Sequence, residues 1–148
     1  MEEAIDRFSQ AIEMGVYKEE ARNEAYFWRG ESYYRLNDYR QAISDYRTYL
    51  NNTRQRNTDT YALAHYSLGY SYFKEKDYPE ALSRFRQYTD LESNRQSASY
   101  ADAFNRIGDC LFHNRQFAQA EEQYSKAAQI LPSAGDYALY QKGFVMGL

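Results

Sequence analysis

Large hydrophobic residues recur at helical spacing along this chain, and their pattern returns at a fixed period. Three segments align without a gap and superimpose one glycine in each: Gly30, Gly69 and Gly108. Consecutive glycines are 39 residues apart in the numbering. A period in the range of about 20 to 50 residues is typical of solenoids built from repeated supersecondary units.

The large and small residues around each glycine keep the same order in all three segments. A large residue follows the glycine by three positions, an alanine by twelve, and a ring by sixteen: Tyr33, Tyr72, Leu111; Ala42, Ala81, Ala120; Tyr46, Phe85, Tyr124. Spacings of three and four place such residues on one face of a helix. Only two prolines and seven glycines occur in 148 residues, too few for the many turns of a β-sandwich. The pattern predicts pairs of amphipathic helices.

This pattern resembles the tetratricopeptide repeat. The third segment carries the family's positions almost completely: Phe104, Ile107, Gly108, Leu111, Ala120, Tyr124, Ala127 and Pro132. The resemblance implies an all-α fold, a right-handed α-solenoid of antiparallel helix hairpins. Glycine inside a helix costs about 1 kcal/mol relative to alanine, so its recurrence at one phase predicts a close approach of the paired helix.

The chain is expected to form one tetratricopeptide-like unit over residues 1–148. The predicted parts are the second helix of a partial repeat, three repeats, and the first helix of another partial repeat: 1–22, 23–61, 62–100, 101–135 and 136–148. Because both ends carry partial repeats, we interpret the chain as an excerpt of a longer protein. The usual period of the family is about 34 residues, whereas the period here is 39. The roughly five added residues per repeat could either lengthen helices or form loops.

Extended, tyrosine-rich repeats of this kind are similar to those of bacterial periplasmic helper proteins. Examples are the outer-membrane assembly lipoprotein and the Tol-Pal-associated coordinator protein of Gram-negative bacteria. The resemblance implies a periplasmic or cell-envelope location, with the cytoplasm as the alternative. The single cysteine, Cys110, excludes an internal disulfide and gives no information on the compartment.

A solenoid of hairpins presents a concave wall made from the first helix of each repeat. The family resemblance maps the peptide-binding groove of this wall to Phe27, Glu31, Tyr34, Tyr66, Tyr70, Phe73, Asn105, Asp109, Phe112 and Tyr140, with Phe144 beside the last. These residues are mostly aromatic with a few acids. They favour a protein or peptide ligand with apolar anchors and a basic group. The alternative for each ring is that it only fills the interior.

The predicted function is therefore a non-catalytic scaffold that binds protein or peptide. The family's clamp for a C-terminal carboxylate uses Lys and Asn where this chain has Phe27 and Glu31, so we do not expect that mode. The alternative is a structural spacer or self-association module of a larger protein. Oligomers could then form through the uncapped ends.

Enzymatic, metal and cofactor chemistry are not expected. No nucleophile stands beside a base, and no set of metal ligands has helical spacing. His65 fits a packed core position, His113 lies near the groove rim, and Cys110 fits a buried thiol. A net charge of −3 argues against nucleic acid, and no segment is apolar enough for membrane insertion.

Overall fold

The computed structural model describes residues 1–14 and 19–133, and all regular structure in these ranges is helical. The helices are α1 (Glu2–Met14), α2 (Glu19–Arg35), α3 (Tyr39–Asn52), α4 (Asp59–Lys74), α5 (Tyr78–Leu91), α6 (Ala98–His113) and α7 (Phe117–Ile130). The helices α3, α5 and α7 begin at residues 39, 78 and 117, which reproduces the period of the sequence. The predicted all-α hairpin architecture is confirmed.

The chain divides into two compact units, residues 1–77 and 78–148. In the first unit, each helix from α1 to α4 packs against the next, and α2 also contacts α4. In the second unit, α6 packs against both α5 and α7. The division falls inside the predicted repeat 62–100, between its two helices.

The short turn inside each hairpin is the same in all three repeats. Its central residue has a left-handed backbone with φ of 61°, 62° and 61°: Asn37, Lys76 and Arg115. In the first turn, the N–H of Asp38 donates to the carbonyl of Tyr33 at 2.9 Å. The N–H of Asn37 donates to the carbonyl of Tyr34, also at 2.9 Å. These two bonds define a Schellman motif, which satisfies the last carbonyls of the helix.

The longer connections lie between hairpins. Residues 53–58 join α3 to α4, and residues 92–97 join α5 to α6. Each connection ends on a hydroxyl cap: Thr58 accepts from the N–H of Tyr61, and Ser97 accepts from the N–H of Tyr100, both at 3.1 Å. The polar tracts after the second helices therefore mostly form loops between hairpins and do not lengthen the helices.

Tyrosine rings cross the glycines inside two of the hairpins. A Cβ atom added to Gly30 would lie 3.0 Å from the ring of Tyr46, and one added to Gly108 would lie 2.5 Å from the ring of Tyr124. Both rings are buried. The close approach predicted from the glycines is therefore confirmed at these two positions.

Candidate functional site

The predicted groove residues of the first unit stand on two helices in contact. Glu31 and Tyr34 lie on α2, and Tyr66, Tyr70 and Phe73 lie on α4. Helix α2 contacts α4, and Tyr46 of α3 interacts with both Glu31 of α2 and Ser67 of α4, so we treat these side chains as one surface. We call this surface the α2–α4 face, and it also includes Leu63, which continues the row of apolar side chains on α4.

Helix α4 carries a stripe of partly exposed apolar side chains. Leu63 is 39% exposed, and Tyr66, Tyr70 and Phe73 are each half-buried. Their spacing of three, four and three residues keeps them on one face of the helix. The rings of Tyr66 and Tyr70 meet edge to face at 5.1 Å. Sequence reasoning missed Leu63, although the same spacing, extended one step back, would have found it.

On α2, the carboxylate of Glu31 is held by the neighbouring second helix. The hydroxyl of Tyr46 donates to Glu31 Oε1 at 2.6 Å. Burial, with the nearby Glu31 charge and this hydrogen bond, raises the pKa of Tyr46 far above its usual value, so the hydroxyl remains a donor. Glu31 itself is half-buried and supplies the negative group of the α2–α4 face.

Phe27 does not share this exposure. Its ring is fully buried and packs against Trp28, Tyr46 and Tyr49 at centroid distances of 5.0, 5.9 and 5.5 Å. A ring without exposed surface cannot contact a ligand unless the hairpin repacks. For Phe27, the structure therefore favours the alternative that the ring fills the interior.

In the second unit, the predicted polar groove residues are also buried. Asp109 is 6% exposed, accepts a hydrogen bond from the hydroxyl of Tyr124 at 2.7 Å and pairs with Arg106 at 2.9 Å. Asn105 is buried on the same helix. Asp109 is therefore part of an internal polar network with Tyr124 and Arg106.

Phe112 is the one half-buried ring among the predicted groove residues that the structure describes in the second unit. It meets Phe117 edge to face at 5.2 Å. Tyr140 and Phe144 lie outside the described residues.

The two histidines and the cysteine have ordinary structural surroundings. His65 is buried and meets the ring of Tyr61 edge to face, which confirms its core position. His113 is exposed and stacks on Tyr78 with the ring centroids 4.0 Å apart. Burial raises the pKa of the Cys110 thiol to about 12, which keeps it protonated and weakly reactive near neutral pH.

Metal-binding groups and membrane-spanning helices are absent from the described residues. Within residues 1–14 and 19–133, no three histidine, cysteine or acidic side chains are grouped so that they could hold a metal ion. Of the helices in these ranges, none is both long enough and apolar enough to cross a membrane.

Comparison with known families identifies the class of this helical-repeat fold. Models described as "Tetratricopeptide repeat" match residues 23–54 and 66–135, which together make up more than half of the chain. The chain belongs to the tetratricopeptide repeat family. Proteins of this family are generally non-catalytic interaction scaffolds. No curated protein sequence matches the chain.

Solved structures share the fold at low sequence identity. The crystal structure of MamA aligns with a TM-score of 0.78 and 20% identity, over 95% of this chain and 74% of that one. BtubC (BKLC) from P. vanneervenii aligns with a TM-score of 0.77 and 15% identity, over 96% and 62% of the two chains. The first tetratricopeptide repeat domain of Spaghetti (RPAP3), bound to the HSP90 peptide SRMEEVD, aligns with a TM-score of 0.69 and 16% identity, over 88% and 98%.

Proposed function

We propose that this chain is a non-catalytic scaffold that binds a peptide segment of another protein on the α2–α4 face. The observation that carries the proposal is the partly exposed stripe on α4, formed by Leu63, Tyr66, Tyr70 and Phe73. Aromatic side chains in a helical stripe are normally covered by a neighbouring helix, and rigid aromatics often dominate the energy of binding. This stripe is open enough to receive apolar side chains from a partner.

The chemistry of the face favours a peptide with apolar anchors and a lysine or arginine. A cation can interact with the exposed parts of Tyr66 and Tyr70, and the Glu31 carboxylate supplies a charge partner on the same face. The hydrogen bond from Tyr46 fixes the orientation of Glu31 before a ligand arrives. Fixing a binding group in advance lowers the entropy lost on binding.

The family and one solved structure support a protein or peptide ligand. The Spaghetti (RPAP3) domain was solved with a bound HSP90 peptide, SRMEEVD, which has three acidic residues among its last four. This chain has Phe27 where the family's carboxylate clamp has lysine and the acidic Glu31 where the clamp has asparagine, so we infer a ligand of a different charge. The buried position of Phe27 also leaves no room for the lysine of a carboxylate clamp.

A selection from a random peptide library tests this proposal directly. The bait is the wild-type chain, compared with a variant that combines Tyr66→Ser, Tyr70→Ser and Phe73→Ser. A matched control combines Leu36→Ser, Leu91→Ser and Phe117→Ser, since these three residues are also exposed apolar side chains but lie off the face. Circular dichroism checks that all three proteins keep the same helical content.

We expect the wild-type chain and the control to enrich peptides with apolar anchors and a basic residue, and the face variant to lose them. Glu31→Gln should then weaken binding of the basic peptides while sparing apolar ones. Equal enrichment by the wild type and the folded face variant would show that the α2–α4 face is not the binding site.

Self-association is a second candidate, favoured by one residue. Trp28 is 48% exposed on α2, although exposed tryptophan is uncommon away from interfaces. If the chain associates through this ring, Trp28→Ser should shift the sedimentation coefficient toward that of the monomer. A wild-type chain that is monomeric at high concentration would leave only the peptide-binding function.

A further inference from the structure

The second unit contains a groove whose chemistry differs from that of the α2–α4 face. It is formed by α5, the connection 92–97, α6 and α7, and its volume is about 320 Å³. Its charged and aromatic lining consists of Arg86, Asp90, Arg95, Tyr100, Phe104 and Lys126. We call this feature the basic groove, because three of these side chains are cations and one is an acid.

Two of the cations are held over aromatic rings. The guanidinium of Arg95 lies 5.7 Å from the centre of the Tyr100 ring, and the ammonium of Lys126 lies 5.6 Å from that of Phe104. The two rings meet edge to face at 5.0 Å. The groove therefore has an aromatic floor with a positive charge on each side.

The cations of this groove are exposed and lack carboxylate partners. Arg86, Arg95 and Lys126 are all exposed, and among residues 1–14 and 19–133 none of them forms an ion pair. The cations come from three separate elements, with Asp90 as the single acid of the lining. A local positive potential on a chain with a net charge of −3 marks this groove as a site for an anionic partner.

The residues of α6 that line the basic groove lie on a different face of the helix from those predicted to line the peptide-binding groove. Tyr100, Phe104 and Ile107 form the floor of the groove, whereas Asn105 is buried away from it and Asp109 belongs to the internal polar network. Adjacent residues on a helix point about 100° apart. Binding in the groove can therefore be altered without changing the acid network.

The basic groove has a partial counterpart in the preceding repeat. Arg47, Arg56 and Tyr61 stand 39 positions before Arg86, Arg95 and Tyr100. The ring of Tyr61 also meets the side chain four residues later edge to face, as Tyr100 does. The basic and aromatic positions thus recur with the repeat, and Lys126 and Phe104 complete them only in the second unit.

We propose that the basic groove binds an acidic peptide segment that carries one aromatic or aliphatic anchor. Carboxylates spaced along a peptide can meet cations that stand on separate elements, and the anchor can pack against Phe104, which is half-buried. Inorganic phosphate would use the charge but not the apolar floor. Stacking of nucleic-acid bases needs open ring faces, whereas Tyr100 is 7% exposed and one cation lies over each of the two rings.

The test uses a short fluorescent peptide of glutamates around a single phenylalanine, measured by anisotropy at about 50 mM salt, where charge pairs are weakly screened. Two control peptides replace the glutamates by glutamines or the phenylalanine by glycine. The groove variant combines Arg95→Gln and Lys126→Gln. A charge-matched control combines Arg35→Gln and Arg40→Gln, which are exposed in the first unit.

We expect the groove variant to bind the acidic peptide about tenfold more weakly than the wild type, because two of the cations that attract its carboxylates are removed. The charge-matched control and the Tyr66, Tyr70 and Phe73 triple variant should bind like the wild type. Both control peptides should bind more weakly than the acidic one.

Several results would overturn the proposal. One is equal weakening by the groove variant and the charge-matched control, since that would indicate unspecific attraction. Others are wild-type binding of the glutamine peptide as tightly as the acidic one, and no binding of the acidic peptide. Tighter binding of single-stranded oligothymidine, abolished by the same groove variant, would assign the groove to nucleic acid instead.

Discussion

The hairpins α2–α3 and α6–α7 occupy the same repeat positions but are held together by different chemistry. In α6–α7, the position before the glycine is the buried apolar Ile107. In α2–α3, it is Arg29, which donates to both carboxylate oxygens of Asp45 at 2.7 Å and to Ser9 at 3.1 Å. The same phase of the repeat can therefore be filled by an apolar contact or by a partly buried ion pair.

A second difference concerns the acid that follows each glycine. Tyrosine hydroxyls donate to Glu31 and to Asp109 at almost the same distance, 2.6 and 2.7 Å. Asp109 is buried and also pairs with Arg106, whereas Glu31 is half-buried at the α2–α4 face. The same hydrogen bond thus supports a structural acid in one hairpin and a candidate binding group in the other.

Breaking the ion pair between Arg29 and Asp45 should cause the largest change in the free energy of unfolding. Asp45→Ala should lower the free energy of unfolding by about 3 kcal/mol, because it leaves the partly buried Arg29 without its carboxylate. The double change Arg29→Leu with Asp45→Ala should be clearly less destabilising, since Leu68 and Ile107 fill the same phase in the other repeats. Urea unfolding monitored by circular dichroism measures both. A double variant as unstable as Asp45→Ala would mean that the two hairpins are not interchangeable at this position.

Replacing the two glycines should change the free energy of unfolding by smaller amounts, and by different amounts in the two hairpins. Gly108→Ala places a methyl group 2.5 Å from the buried ring of Tyr124. Overpacking costs about 1–3 kcal/mol and the helix propensity of alanine returns about 1 kcal/mol, and since 2.5 Å is a severe overlap we expect a net loss near the upper end, about 2 kcal/mol. Gly30→Ala meets Tyr46 at 3.0 Å and should change stability by about 0.5 kcal/mol or less. Equal losses in thermal unfolding would contradict the difference in helix approach.

Substitutions in the hairpin turns should cause the smallest change, and they should increase the stability of the chain. Arg115 adopts φ 61°, and a left-handed backbone costs a non-glycine residue about 1–2 kcal/mol. Because glycine loses more entropy on folding, Arg115→Gly should stabilise the chain by only about 0.5 kcal/mol. Asn37→Gly in the other hairpin should gain less, since asparagine tolerates this conformation. Paired melting curves compare the two, and a loss of stability in Arg115→Gly would contradict the strain assigned to the turn.

The hairpins could be predicted because their signals are local and periodic. Gly108 and Tyr124 belong to a pattern that returns every 39 residues, and helical spacing converts that pattern into faces and pairs. The cap of α3 is equally local, since the carboxylate of Asp38 accepts from the N–H of Gln41, three residues later, at 3.3 Å. Such signals depend on neighbours in sequence, so no tertiary knowledge is needed to find them.

The candidate site was only partly predictable. Phe27 and Tyr66 share one phase of the repeat, but Phe27 is fully buried and Tyr66 is half-buried. Likewise, the phase that gives Glu31 and Asp109 does not reveal which acid reaches the surface. Exposure depends on which helices pack over a side chain, and that information is absent from the repeat pattern.

The sequence by itself determined the helical class, the repeat period, the close approach of paired helices at the glycines and the family of this protein, because each of these follows from spacing along one chain. Only the tertiary structure decided that Arg29 is tied to Asp45 and that Asp109 lies in a buried network. It also brought Arg86, Arg95 and Lys126 around one aromatic floor. These features join residues that are distant in sequence, so their chemistry appears only when the helices are packed together.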